Sequence, residues 1–277
     1  MENCLLTHFI FNKEIKSSCD FNQFEHEKHT SVYEVIRVID NLPLFLEDHI
    51  SRFFISLKLN KIKVSISERQ IKSRIKALIE VNKLSTGNIR FQFLINQNGK
   101  KDFYAWVSPF FYPTPEQNIN GVVCDLFPAT RNNPNSKTSN LSLREEVDKQ
   151  IQNNNIFELI LFNEQNQISE GSRSNLFFIK GNSAFTSPNE EVLLGVTRNK
   201  IINICENKNI GIEKLSIKTT EISDFESVFL SGTSIKILPV KSIDSSSFDT
   251  LNPLLLLLTN EYEKLINEYL NTFKWNL

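Results

Sequence analysis

Two charged side chains in the middle part of the sequence are of types that can do chemistry. Lys137 lies in the polar stretch NNPNSKTSN. Glu170 lies in ISEGSRSNLFFIKGN, where we predict a strand, a tight Glu-Gly turn and a strongly apolar strand. A single lysine or glutamate in such a place is usually a solvated loop or turn residue. A desolvated, deprotonated lysine amine can instead form a Schiff base with a carbonyl group. A carboxylate beside an apolar strand either lies at the surface or pairs with a cationic group, because an unpaired buried charge is costly.

Three further stretches carry groups that bind anions. In LLGVTRNK, Gly195, Val196 and Thr197 stand just before a predicted helix, whose first N–H groups and a hydroxyl suit a phosphate. Thr197 is explained equally well as a plain N-cap. In FLSGTSIKILPV, small hydroxyl residues at the end of an apolar strand suit an anion or a simple turn. Arg52 could be a surface residue or could grip a phosphate through its guanidinium.

Composition and charge argue against several classes of protein. The 277 residues are 40% hydrophobic and 23% charged, and the net charge is −1. Because the lysines and arginines are scattered, we expect neither a nucleic-acid partner nor a membrane partner. The four cysteines form no CxxC pair and indicate reduced thiols in a cytoplasmic protein, and the four histidines show no metal-binding spacing. We expect no signal peptide in the N-terminal sequence, and the LLLLL run is too short to span a bilayer.

The elements of the first part of the chain can be predicted from the periodicity of apolar residues. They are a strand at 32–39, a helix at 48–59, a helix at 67–82 and a strand at 88–96. Asp48 is a possible N-cap of the first helix, and Ser67 and Gln70 could form a capping box at the second. On the last strand, Ile89 and Phe91 should point to the core and Arg90 away from it.

A segment rich in proline and asparagine, PTPEQNING at 113–121, is the predicted linker. It divides the chain into predicted domains at 1–114 and 115–277. The second domain should contain strands near 121–127, 156–162, 174–180, 211–218, 226–231 and 235–240, and helices through LREEVDKQIQ, 197–208 and 252–272. The mixture of strands and helices on both sides of the linker predicts two α/β domains. Because no internal repeat is present, the two domains should be of unequal type.

Taken together and in this order, these segments resemble the fold-type IV family of pyridoxal-phosphate (PLP) enzymes. That family includes branched-chain aminotransferases, D-amino-acid aminotransferases and aminodeoxychorismate lyases. The matching text is VYEVIRVIDNLPLFLEDHISRF, SKTSN, FELILFNEQNQISEGSRSNLFF, LLGVTRNKII and VFLSGTSIKILPVKSI. The combination of the lysine, a following E-G-x-x-x-N-[LIV]-F and G-[IV]-T-R is specific. The resemblance implies an α/β (α+β) fold with a smaller N-terminal α/β domain and a larger C-terminal pseudo-barrel domain.

The resemblance also implies roles for the residues that bind the cofactor. Lys137 would hold PLP through a Schiff base, and its released amine would then move the Cα proton of the substrate. Glu170 would keep the pyridine nitrogen protonated, so that the ring accepts electrons. The phosphate would be bound by Arg52, the N–H groups of Val196 and Thr197, the Thr197 hydroxyl, and Thr233.

Other residues are implied on the substrate side. Tyr33 matches an aromatic residue of the active-site wall, and Arg90 matches an arginine of branched-chain enzymes. Arg173 could bind a substrate carboxylate, but it could also cap the turn or pair with a nearby acid. The N–H groups of Thr233 and Ser234 are further candidates for that carboxylate. Asn175 is expected to tie the turn together.

The predicted function is transfer of an amino group from an amino acid, of branched-chain or D-amino-acid type, to a 2-oxo acid. The alternative is a 4-amino-4-deoxychorismate lyase that releases pyruvate and p-aminobenzoate, and a PLP-binding protein without turnover is a third hypothesis. Ser142 replaces the tyrosine usual in branched-chain enzymes, and no RxH pair of the D-amino-acid type follows strand 88–96. Val35 replaces a threonine common in the lyases. The resemblance further implies a homodimer.

Overall fold

The structure is a computed structural model that describes residues 4–24, 30–96, 99–131, 133–138 and 141–277. The chain divides into two compact units. Unit 1 comprises Met1–Phe111, Ser136–Ser139 and Ile266–Leu277, and unit 2 comprises Tyr112–Asn135 and Asn140–Leu265. Lys137 therefore belongs to unit 1, whereas Glu170 belongs to unit 2.

The described part of unit 1 contains one antiparallel sheet and two complete α-helices. Its elements are β1 (His8–Phe11), β2 (Glu14–Ser17), a 3-10 helix (Ser18–Phe24), β3 (Thr30–Ile39), β4 (Leu42–Pro43), α1 (Leu46–Leu59), α2 (Glu68–Asn82), β5 (Gly87–Ile95) and β6 (Lys101–Ser108). The strand order is β2-β1-β6-β5-β3-β4. The two strands and two helices predicted for this part of the chain are β3, α1, α2 and β5.

Alternation along β5 builds the core of unit 1. Ile89, Phe91 and Phe93 are buried in one cluster with Ile50 and Phe53 of α1. Each large apolar side chain removed from water contributes about 1.5–3 kcal/mol, so this shared cluster fixes the helix on the sheet. The predicted core face of β5 is confirmed.

The two helix starts of unit 1 differ in how well the sequence predicted them. The capping box is confirmed, because Gln70 N–H donates to Ser67 Oγ at 3.2 Å and Ser67 N–H donates to Gln70 Oε1 at 2.9 Å. The prediction of Asp48 as an N-cap is wrong. The N-cap of α1 is Phe45, in the left-handed region at φ 51°, with no side-chain cap. Asp48 lies in the first turn, where an acid still interacts favourably with the helix dipole.

A short helix, α3 (Pro115–Asn120), occupies most of the predicted linker. Thr114 Oγ1 accepts from Gln117 N–H at 3.1 Å, and Gln117 Oε1 accepts from Thr114 N–H at 2.9 Å. Proline in the first turn and the T-x-x-Q capping box are signals of a helix start, which the linker prediction overlooked. The domain division after residue 114 stays a prediction.

Unit 2 is built on a larger mixed sheet. Its further elements are β7 (Val122–Pro128), α4 (Leu141–Asn154), β8 (Glu158–Phe162), β9 (Gln167–Gly171), β10 (Asn175–Lys180), β11 (Ser183–Thr186), α5 (Val196–Asn207), β12 (Gly211–Lys214), β13 (Ile217–Lys218), a 3-10 helix (Thr219–Asp224), β14 (Ser227–Gly232), β15 (Lys236–Ile243) and β16 (Ser246–Ser247). The last helix, α6 (Pro253–Thr272), begins in unit 2, and its residues from Ile266 onward belong to unit 1. The strand order is β12-β11-β10-β14-β15-β7-β8-β9-β13, with β16 paired to β15.

Two details of unit 2 differ from the sequence prediction. The single strand predicted at 211–218 is two strands at opposite ends of the sheet, since β12 pairs with β11 and β13 pairs with β9. The tight Glu-Gly turn is also misplaced. Glu170 and Gly171 are the last residues of β9, and the chain bends at 172–174 before β10 begins.

All four cysteines are unpaired thiols. Cys124 and Cys205 are buried in unit 2, whereas Cys19 is exposed and Cys4 is half-buried in unit 1. Burial raises the pKa of Cys124 well above its ordinary value and raises the pKa of Cys205 to about 11. Both buried thiols therefore stay protonated at neutral pH.

Within the described ranges, no helix has the length and hydropathy to cross a membrane. Those ranges also hold no group of three or more His, Cys, Asp or Glu side chains that could bind a metal ion.

Candidate active site

The loop that carries Lys137 is held against β3 in unit 1. Tyr33 N–H donates to the Lys137 carbonyl at 3.1 Å, and Lys137 N–H donates to Ser56 Oγ at 3.2 Å. Thr138 forms an isolated bridge with Val32. The Lys137 side chain is half-buried, and its Nζ lies 4.9 Å from the centre of the Tyr33 ring. Lys137 is thus a positioned side chain rather than a solvated one.

A second cation lies on the same ring. The Arg90 guanidinium lies 4.0 Å from the centre of the Tyr33 ring and 5.5 Å from that of Trp106. Arg90 Nη2 donates to Gln92 Oε1 at 2.9 Å, which fixes the plane of the guanidinium. The structure therefore brings together three residues singled out in the sequence, Tyr33, Arg90 and Lys137.

Arg52 is buried in an ion pair with a residue that the sequence analysis missed. Its Nε and Nη2 each donate to the Glu34 carboxylate at 2.7 Å, and His49 Nδ1 lies 3.0 Å from Glu34 Oε2. Burial alone would raise the pKa of Glu34, but Arg52 and His49 lower it to about 2. Burial also lowers the pKa of His49, so the imidazole is neutral at pH 7. Glu34 precedes Arg52 by 18 residues, and only the fold joins them.

In unit 2, Glu170 is buried, and both of its carboxylate oxygens accept hydrogen bonds. Its side chain is only 3% exposed. Oε1 accepts from Arg131 Nη1 at 3.0 Å, and Oε2 accepts from Asn175 Nδ2 and from Leu193 N–H, each at 3.1 Å. The carboxylate can lie beside an apolar strand because one cation and two neutral donors compensate its charge. Arg131 was missed because nothing in the sequence relates it to Glu170.

A second buried carboxylate, Glu158, holds the bend that follows Glu170. It accepts from Arg173 N–H at 2.5 Å and from Ser174 Oγ at 3.1 Å. Burial raises its pKa, although these donors oppose the shift. A Cβ at Gly171 would lie 2.6 Å from Glu158 Oε1, so this close approach requires glycine.

The Arg173 side chain forms an exposed ion pair with Asp148 of α4. The structure thus shows the contact foreseen in one of the alternatives, pairing with a nearby acid. Its role towards a substrate carboxylate stays a prediction.

The start of α5 has backbone N–H groups of the kind that bind phosphate. Gly195 is the N-cap, and no side chain caps the helix, so the reading of Thr197 as a plain N-cap is wrong. Thr197 is buried, and its Oγ1 accepts from the Tyr262 hydroxyl at 3.2 Å. A Cβ at Gly195 would clash with Asn175 Oδ1. Asn175, which also donates to the Leu193 carbonyl at 2.8 Å, ties this loop to Glu170 as expected.

The last residue of the G-V-T-R motif, Arg198, has a structural place. It is fully buried and donates to Ser187 O at 2.8 Å and to Asn189 Oδ1 at 3.0 Å. Burial lowers its pKa to about 10, and the charge of Glu170 opposes the shift. Arg198 therefore supports the 187–189 segment.

The hydroxyl-rich end of β14 has one unusual feature. Ser231 is opposite Asn175 in the β10–β14 ladder, and its Oγ is buried with no hydrogen-bond partner among the described residues. Thr233 and Ser234 follow the end of the strand and are half-buried. A buried hydroxyl of this kind is uncommon unless a ligand or water completes it.

The fold and these residues define a class of protein. The family pattern "Amino-transferase class IV" matches residues 31–243, most of the chain, and the chain belongs to this family. Membership confirms the predicted family, the fold class and the enzyme class, a PLP-dependent aminotransferase of fold type IV.

Individual members of the family are similar along nearly their whole length. A D-alanine aminotransferase of Bacillus licheniformis is 27% identical over 260 residues, 88% of this chain and 91% of the relative. A "Probable branched-chain-amino-acid aminotransferase" of Thermotoga maritima is 25% identical over 246 residues, 86% of each chain. The crystal structure of the Escherichia coli branched-chain amino acid aminotransferase superposes with a TM-score of 0.85 at 22% identity and 98% coverage of both chains.

Proposed function

We propose that this chain transfers an amino group from an amino acid, of the branched-chain or D-amino-acid type, to a 2-oxo acid. The buried and compensated carboxylate of Glu170 carries the proposal, because it fits a partner with a cationic ring nitrogen. The names of the similar proteins support both substrate types, and the departures at Ser142 and after β5 favour neither.

The chemistry of the residues fits pyridoxal phosphate. The aldehyde requires a primary amine, which Lys137 has, and the ring nitrogen requires an anion, which Glu170 has. The phosphate requires N–H donors, and the start of α5, where the N-cap provides no side-chain cap, offers those of Val196 and Thr197. The buried hydroxyl of Ser231 offers one more polar group beside Asn175.

When bound, the cofactor supplies an aldehyde that captures the amino group and a ring that accepts electrons. Lys137 Nζ would move a proton between the substrate Cα and the cofactor carbon that carries the amino group. Glu170 would hold a proton at the ring nitrogen. Arg52 and Thr233 would complete the phosphate site.

We propose that Arg90, rather than Arg173, binds the substrate carboxylate. Arg90 lies on the same aromatic ring as Lys137, whereas Arg173 is engaged by Asp148 at the surface. Tyr33 would form the wall between substrate and sheet. The N–H groups of Thr233 and Ser234 stay as further candidates.

The test of the overall reaction is a half-reaction screen. The purified protein with PLP is mixed with single L- or D-amino acids, and loss of the absorption band of the Schiff base is followed. We expect conversion with one stereochemical series, which also identifies the handedness. Absence of conversion with every amino acid, together with pyruvate release from aminodeoxychorismate, would contradict the proposal and identify the lyase.

The test of the nucleophile is Lys137→Ala. Borohydride should fix the cofactor to the wild-type chain and fail to fix it to this variant. Lys149→Ala, at an exposed position of α4, is the control and should label like the wild type. Retained labelling of the Lys137 variant would show that another lysine carries the cofactor.

The homodimer and the cytoplasmic location belong to the same proposal. The four unpaired cysteines support a reducing compartment. Light scattering of the holoenzyme should give the mass of two chains, and the mass of one chain would contradict the dimer.

A further inference from the structure

Arg131 donates a charge-assisted hydrogen bond to the Glu170 carboxylate. Asn175 and Leu193 donate neutral N–H groups to Oε2, whereas the Arg131 guanidinium donates to Oε1 at 3.0 Å. The Arg131 side chain is 22% exposed and that of Glu170 is 3% exposed. The pair is therefore largely withdrawn from solvent, where a charge-assisted hydrogen bond is strong.

The backbone around Arg131 is anchored on both sides. Before it, Ala129 N–H donates to the Phe162 carbonyl at 3.0 Å. After it, Asn135 Nδ2 donates to the carbonyls of Asn189 and Val192, each at 2.7 Å. These bonds anchor Ala129 and Asn135, and Arg131, which lies between them in sequence, faces the end of β9. The same segment leads directly into Lys137.

The charge of Glu170 also acts on Arg198, but the hydrogen bonds of the Arg198 guanidinium go to other residues. The charge of Glu170 raises the pKa of Arg198 against the larger effect of burial. The Arg198 guanidinium donates to Thr186, Ser187 and Asn189. Arg131, by contrast, is a cation in direct hydrogen-bond contact with the carboxylate.

We infer that Arg131 is a positioning residue that keeps Glu170 ionised and fixed in the orientation that serves the ring nitrogen of the cofactor. The inference rests on the proposed function. A carboxylate and a pyridine nitrogen can share one proton in two ways, as an ion pair or as two neutral groups. Arg131 is bonded to the carboxylate itself, so its charge favours the anionic carboxylate and hence the protonated ring. Without Arg131, the buried Glu170 would take up a proton more readily and would hold the ring proton less firmly.

The experiment compares Arg131→Met and Arg131→Lys in the holoenzyme loaded with PLP labelled with 15N in the ring. The 15N chemical shift reports protonation of the ring nitrogen directly. For Arg131→Met we expect a shift towards unprotonated pyridine and a half-reaction slower by roughly 10- to 100-fold. Arg131→Lys keeps the charge and should lie closer to the wild type in both readouts. Arg144→Met, which removes an exposed ion pair of α4 with Asp148, is the control and should change neither.

The double variant Arg131→Met/Glu170→Gln separates positioning from folding. If Arg131 acts through Glu170, adding Arg131→Met to Glu170→Gln should cause almost no further change in the 15N shift or in the rate. Additive effects would overturn the inference, and so would a wild-type 15N shift and rate in Arg131→Met. Failure of the proposed function itself is a different result, namely a wild-type protein that borohydride does not label at Lys137.

Discussion

The buried ion pair of unit 1 allows one stability prediction with a magnitude. Glu34→Gln removes the carboxylate charge that faces the buried guanidinium of Arg52. In the wild type, the pKa of Glu34 falls from an ordinary 4.5 to about 2, which corresponds to about 3 kcal/mol of stability. Breaking a buried pair by removing one partner costs about 3–5 kcal/mol. We therefore expect the free energy of unfolding of unit 1 to fall by about 3 kcal/mol at pH 7.

The loss should depend on pH in a defined direction. The folded state lowers the pKa of Glu34, so its contribution is fully present above pH 4.5 and is lost between pH 4.5 and about 2. The glutamine variant lacks this contribution at every pH. The difference between wild type and variant should thus be constant near neutral pH and should shrink as Glu34 becomes protonated.

The assay uses the position of the tryptophans. The sequence contains two, Trp106 and Trp275, and both lie in unit 1, so their fluorescence reports the unfolding of that unit by urea. Glu14→Gln is the control, since Glu14 is 71% exposed and its bond to Lys16 should contribute less than about 1 kcal/mol. A loss below about 1 kcal/mol for Glu34→Gln, or a loss unchanged down to pH 3, would refute the reasoning.

Three other substitutions address binding. Arg90→Ala should raise the KM of a carboxylate substrate while PLP stays bound, because Arg90 lies on the same aromatic ring as Lys137, and unchanged kinetics would contradict this choice. Arg173→Ala should leave the KM close to that of the wild type and lose less than about 1 kcal/mol of stability, because its pair with Asp148 is exposed. Gly195→Ala places a Cβ against Asn175 Oδ1, beside the link to Glu170. It should raise the Kd of PLP about tenfold in a spectroscopic titration, and a wild-type Kd would show that the loop yields without cost.

Local features were the most predictable from the sequence. The capping box of Ser67 and Gln70 involves residues three apart, and the core face of β5 follows from alternation alone, so both could be predicted without knowledge of the fold. The helix at α3 carried equally local signals, but its proline and asparagine content favoured a linker. The start of α1 at Phe45 was not predictable, because a left-handed aromatic N-cap has no sequence signature.

Partners distant in sequence were the least predictable part of the candidate site. Lys137 and Glu170 could be selected by resemblance, but their surroundings depend on strand order. Arg131 reaches Glu170 across 39 residues, and Glu34 reaches Arg52 across 18. Hydrophobic periodicity contains no information about such pairs, since it records which face is buried and not which polar group lies opposite.

The two buried thiols of unit 2 can report when that unit opens. Cys124 and Cys205 are shielded and protonated, so a thiol reagent can modify them only when that part of the structure opens. The tryptophans respond to unit 1 alone, and peptide mapping separates the labelling of Cys124 and Cys205 from that of the exposed Cys19 and the half-buried Cys4, so the two measurements report the two units separately. If the thiols react in urea before the fluorescence changes, the half of the chain that carries Glu170 opens while the half that carries Lys137 is still folded.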